Sequence, residues 1–181
     1  MTRLTTIEPT TADSAAKPLL DAVNRKLGVV PNLMRVLAIN PAILGAYLAF
    51  SGAVTGASLG GKLHAQIALA VAEANGCSYC LAAHTVLGGG AGLSETEIIS
   101  ARKGQAADAR AAAALAFARA LVAERGAVSQ NVLARARTAL TDAEIVEIVA
   151  AVALNILTNY INLAADTEID FPPVVSLRGA A

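Results

Sequence analysis

The sequence predicts an all-α fold, a single domain over residues 1–181 with about seven or eight helices. Three observations predict it. Alanine, the best helix former, makes up about a quarter of the chain. Apolar residues recur at spacings of three and four, and no segment alternates with the two-residue period of a strand. Helix start and stop signals punctuate the chain along its length.

The elements follow in order. "SAAKPLLDAVNRKLG" predicts a first helix over residues 14–27, with Pro18 in its first turn and Gly28 as its stop. "VVPNLMRVLAINPAILGAYLAFSGAVTG" holds two more. Asn32 is the expected cap of one and Asn40 of the next, with Pro41 at its first helical position. Met34, Leu37 and Leu44 are their expected packing residues. Leu63, Ile67, Ala70 and Ala74 share one face of a helix over 60–75, which "NG" ends. The next helix starts around Cys77 and runs to Leu87, where "GGGAG" breaks the chain. Ser94 and Glu97 have capping-box spacing for a short helix that Lys103 and Gly104 end. Residues 108–124 form an alanine-rich helix closed by Gly126, and 129–139 form another. "TDAEIVEIVAAVALNILTNYINLAAD" is the longest helix, with Thr141 and Glu144 as its capping box. From 167 to 181 the chain leaves the helices as a tail, in which Ile169, Phe171 and Val174 are expected to pack onto the domain.

Composition narrows the function. Fourteen Lys and Arg balance fourteen Asp and Glu, so there is no basic field for nucleic acid. Arg102, Lys103, Arg135 and Arg137 read as solvated positions. The opening "MTRLTTIEPT" lacks the apolar core of a signal peptide. The most apolar stretches, 63–76 and 143–165, carry His64, Gln66, Glu73, Glu144, Glu147 and Asn155. They predict buried helices of a cytoplasmic protein in place of membrane spans. Hydrophobic residues make up 55% of the chain and charged ones 15%. So apolar a small chain is expected to bury surface against further copies of itself.

The chemistry concentrates in "NGCSYCLAAH", which holds both cysteines, Cys77 and Cys80, and one of two histidines, His84. Zinc is one reading, but a structural site takes four protein ligands, and His64 supplies a fourth only by folding back. A metal-free thiol pair is the better reading. Cys77 near a helix N-terminus, with Cys80 a turn later, can form an intrachain disulfide, and the helix end favours a thiolate. His84, four residues past Cys80, reaches the same face and trades protons near neutrality. Glu73 is the candidate to orient His84 or to relay a proton. Tyr79 lies between the cysteines and roofs the helix junction; His64 reads as solvated. Two thiols and one acid–base group suffice to reduce a hydroperoxide through sulfenic acid and disulfide, with an outside dithiol to reset the pair. No bound cofactor and no metal are required.

"EANGCSYCLAAHTVLG" resembles the AhpD-like family within the wider carboxymuconolactone decarboxylase group, and its peroxidase-related branch in particular. "GVVPNLMRVLAINPAIL" and "NY…TEIDFP" extend the likeness over most of the chain. The resemblance implies an all-α oligomer, a trimer or a hexamer, that reduces hydroperoxides. It implies Cys80 as the attacking thiol, Cys77 as its resolving partner and His84 in the proton relay. It also implies a reductant such as a thioredoxin-like or lipoyl-bearing protein. Cys77 as attacker, being nearer the helix end, stays open. The chain departs from the pattern twice: Ala65 stands where the family glutamate is usual, and Tyr79 where histidine is frequent. Two other readings remain: a general thiol–disulfide oxidoreductase or lactone decarboxylase-like enzyme, and a redox-sensing oligomer without catalysis.

Overall fold

The computed structural model describes residues 3–177. Among them are nine α-helices and no strand: α1 (Lys17–Leu27), α2 (Asn32–Leu37), α3 (Pro41–Thr55), α4 (Gly61–Asn75), α5 (Ser78–Gly90), α6 (Glu95–Arg102), α7 (Ala109–Ala123), α8 (Gln130–Ala136) and α9 (Asp142–Ala165). The all-α class is as the sequence predicts, and each of the nine helices falls on a segment read as helical, so the expected total of about seven or eight is slightly low. The last residues of the expected tail, 178–181, lie outside the described residues.

Most helix ends are where the local chemistry puts them. Asn40 accepts from the Ile43 N–H, and both expected capping boxes, Ser94–Glu97 and Thr141–Glu144, are formed. Two ends differ. Asn32 opens α2 but does not cap it. Its backbone N–H goes to the Asp170 carboxylate at 2.7 Å, and its side chain to the Glu168 carbonyl at 3.0 Å. The tail therefore supplies the cap. The second difference is that α5 continues through Gly88 to Gly90. Gly88 is buried, and a Cβ there would lie 3.2 Å from Leu93 and 3.7 Å from Ile98 and Leu69. The missing side chain thus lets α5 close onto its neighbours, and packing overrides the poor helix propensity of glycine.

α4 is the axis of the molecule. It packs against α5, α6, α7 and α9, and every residue from 66 to 73 is buried. Alternating alanines at 68, 70 and 72 keep it slim enough to be surrounded. One apolar core lies between α4, α6, α7, α8 and α9. A second joins α1, α2 and α3 to the start of α5, and both cysteines sit in it with Leu20, Leu44 and Leu81. α9 is long and apolar enough to cross a membrane by length and composition, yet half of that span is buried within the fold.

Candidate active site

The site begins at the turn between α4 and α5. Gly76 takes a left-handed conformation, φ 68°, and its N–H returns to the end of α4. That reversal carries Cys77, in extended backbone, to the N-cap of α5. Its Sγ accepts the Cys80 N–H at 3.3 Å, one of the free donors of a helix N-terminus. Cys77 and Cys80 are joined as a disulfide with Cα atoms 5.3 Å apart. They are 1% and 2% exposed.

Asn162 of α9 supplies a second donor: its Nδ2 lies 3.3 Å from Cys80 Sγ. His84 is one turn past Cys80 on α5 and half-buried. Burial lowers its pKa to about 4, and a hydrogen bond with Asn155 offsets only part of this. The ring is therefore neutral at pH 7. With one nitrogen on the Asn155 amide, the other can take or give a proton.

Tyr79 lies in the same second core as the cysteines, against α2 and the tail. Its hydroxyl accepts the Leu33 N–H at 3.1 Å, and its ring meets Phe171 edge-on at 5.7 Å. Burial pushes the phenol above its ordinary value, and Asp170 adds to the effect. Tyr79 is thus a post on which the tail and α2 rest.

Glu73 is buried, and its partners are not the expected ones. Its carboxylate accepts Arg102 Nε at 2.8 Å, Ser176 Oγ at 2.6 Å and the Leu177 N–H at 2.7 Å. Burial alone would raise this carboxyl; the bonds from Ser176, Arg102 and Leu177 outweigh it and hold it below the ordinary value. Among the described residues none of its bonds leads to His84. Arg102 is correspondingly not solvated: it is buried, and it also donates to the Val175 carbonyl at 2.6 Å. The pair anchors the tail.

His64 is not solvated either. It is buried, and its Nε2 lies 2.9 Å from Glu147 Oε1. Glu147 also accepts from the Leu59 N–H and from the N–H and hydroxyl of Ser58. The pair ties the start of α4 to α9, away from the cysteines in the chain, and the α9 end of this tie is two turns below Asn155.

The structure thus brings Cys77, Cys80 and Asn162 together and gives His84 an Asn155 partner. Sequence reasoning passed over Asn159 and Asn162 and took Asn155 only as a break in an apolar run. The signal was three asparagines at spacings of four and three in an otherwise apolar helix, a pattern that stacks them on one face.

Comparison with known proteins agrees with this picture. Residues 41–124 match the model of the carboxymuconolactone decarboxylase family. No curated protein matches the chain by sequence. Among solved structures, the alkylhydroperoxidase AhpD core of an uncharacterized peroxidase-related protein from Ralstonia eutropha JMP134 superposes with a TM-score of 0.80 at 22% identity, over 93% of this chain and 92% of that one. An uncharacterized peroxidase-related protein from Silicibacter sp. TM1040 gives 0.77 at 25% identity, over 98% and 94%. The debrominase Bmp8 in its apo form gives 0.78 at 20% identity, over 91% and 90%. The stretch that holds both cysteines and His84 is therefore a match to the carboxymuconolactone decarboxylase family, carried on the AhpD-like fold.

Proposed function

We propose that the protein is a cytoplasmic thiol peroxidase that reduces hydroperoxides, organic ones in particular, through a Cys77–Cys80 disulfide cycle. The observation that carries this is the cysteine pair itself. It is joined at the start of α5 with the Cys80 N–H on Cys77 Sγ, in apolar surroundings, with a neutral histidine one turn on. The peroxidase-related relatives on the same fold support the reading.

The cycle balances as follows. The Cys80 thiolate attacks the terminal oxygen of ROOH; an S–O bond forms, the O–O bond breaks, and RO⁻ leaves with a proton delivered through His84. The Cys77 thiol attacks the sulfenic acid, releases water and leaves the disulfide. An external dithiol, thioredoxin-like or lipoyl-bearing, returns two electrons and two protons. Glu73 takes no part in the proton path in this reading; its carboxylate is spent on Arg102 and the tail. The active form is a homo-oligomer, a trimer or a hexamer.

A single turnover of the fully reduced protein with cumene hydroperoxide and with hydrogen peroxide tests this, with thiols counted by mass spectrometry. Loss of one peroxide and two hydrogens per chain is expected, and Cys80→Ser abolishes it. Both thiols surviving excess peroxide would sink the reading. Halogenated aromatics, by analogy with the debrominase relative, then become the first alternative substrates.

A further inference from the structure

α9 turns a column of amides toward the site. Asn155, Asn159 and Asn162 follow one another on one face, and all three are buried. Asn155 donates to the Ala151 carbonyl at 2.8 Å and pairs with His84. Asn159 Oδ1 accepts from Asn75 Nδ2 at 2.8 Å. Asn162 donates to the Cys80 sulfur.

Among the described residues two polar atoms of this column have no partner: Nδ2 of Asn159 and Oδ1 of Asn162. Each side chain is more than nine-tenths buried. Folded proteins leave few buried amides unpaired, because each costs more than a neutral hydrogen bond returns. Here the two orphans are complementary, one donor and one acceptor, on residues three apart on the same face. One of them belongs to the amide that already touches Cys80. A hydroxyl group answers both, since its oxygen accepts and its hydrogen donates. The terminal O–H of a hydroperoxide is such a group.

Among the described residues no cation is seen bonded to the cysteine pair. His84 is neutral, Arg102 is committed to Glu73, and Asp170 faces Tyr79. From α9 the group that bonds the pair is the uncharged amide of Asn162. What remains to hold a negative sulfur is the α5 N-terminus and the Asn162 amide.

We propose that Asn162 holds the Cys80 thiolate through its Nδ2–H, and that Asn159 Nδ2 with Asn162 Oδ1 receives the terminal O–H of the hydroperoxide that the thiolate attacks. This rests on the peroxidase reading above. As the S–O bond forms and RO⁻ departs with its proton, the hydroxyl stays on Asn162 as part of the sulfenic acid. The acid is thereby held in place for Cys77. Asn162 selects Cys80 over Cys77 as the attacking thiol, because Cys77 Sγ has only the helix N–H.

The test uses the full chain, reduced, with Asn162→Leu, Asn162→Asp and Asn159→Leu. The first keeps volume and removes the donor. The second is isosteric and serves if leucine unfolds the protein; circular dichroism checks each. The first readout is the pH dependence of iodoacetamide alkylation, followed separately for Cys80 and Cys77 by peptide mass spectrometry, with no peroxide present. Removing a hydrogen bond to an ionised group moves the Cys80 midpoint up by about one pH unit or more in both Asn162 variants. The Cys77 midpoint stays put in Asn162→Leu. The second readout is the hydroperoxide rate at pH 7. Asn159→Leu leaves the Cys80 midpoint alone yet slows the peroxide step about tenfold. An unmoved Cys80 midpoint in both Asn162 variants overturns the hold on the thiolate. A folded Asn159→Leu with the wild-type peroxide rate overturns the hydroperoxide site and assigns the two orphan atoms to water. Wild-type protein that ignores peroxide while the midpoint still shifts with Asn162 sinks the peroxidase reading and upholds the hold on the thiolate.

Discussion

At the scale of single residues, His84 links the site to stability. Its pKa is about 4 in the folded chain, against ~6.5 unfolded. The unfolded chain thus binds the extra proton first as pH falls. The contribution is nil above the unfolded pKa and becomes a penalty as pH drops from there toward the folded one. Linkage puts the loss at about 2 kcal/mol between pH 7.5 and pH 5. Urea titrations at those two pH values are expected to show it, and His84→Gln should flatten the difference. Glu73 acts in the opposite sense. Its lowered pKa contributes stability that is full above the ordinary carboxylate value and is lost as pH falls through the folded value. Glu73→Ala leaves Arg102 buried without its partner, a loss of roughly 3–5 kcal/mol, and the tail should become open to limited proteolysis. Cys77, Cys80 and His84 were legible because their geometry is local to one helix. Asn162 and Arg102 were not, because their partners lie 82 and 29 residues away in sequence. Periodicity reports which face of a helix is buried, never against what.

At the scale of elements, caps and stops were legible, since they are decided within one turn. The glycine run was not. Glycine marks a break only where nothing rewards continuing the helix, and at Gly88 close packing does. The same run offers a contrast. Gly89 and Gly90 are exposed, helical and without neighbours at a Cβ position. Gly89→Ala is expected to raise stability by about 0.5–1 kcal/mol. Gly88→Val, which must displace Leu93, should lower it, and thermal melts of the two compared with wild type check both signs. The tail was legible as a packed segment only in part: Phe171 packs on Tyr79 and Val174 is half-buried, but Ile169, expected to pack, is exposed. That the tail caps α2 with Asp170 and closes over Glu73 follows from polar contacts that no pattern announces.

At the scale of the whole molecule, α9 is apolar on its exposed side as well as on much of its buried side. Its inner face carries Ile145, Ile148, Val152 and Leu154 together with the three amides. Its outer face carries Val146, Val149, Leu157, Tyr160 and Leu163, with Val146 69% and Tyr160 60% exposed. Ile43 and Phe50 of α3, which packs beside α9, are exposed as well. An apolar surface of this kind fits association with further copies. Light scattering should find a species well above the 18.3 kDa of one chain, and Val146→Glu combined with Tyr160→Lys should reduce it toward that mass.

The distance in sequence between Cys80 and Asn162 has a further consequence, in the order of synthesis. The helical hairpin of α4 and α5 is local and can form as soon as it leaves the ribosome. The amides that face it, and the tail that rests on Tyr79, are translated last. For that interval the two thiols have the α5 N-terminus and the apolar side chains of α1, α2 and α3, which precede them in the chain, but not the Asn162 donor. The amide side of the site is therefore the last part to be supplied, since Asn162 reaches Cys80 only once α9 lies against α5.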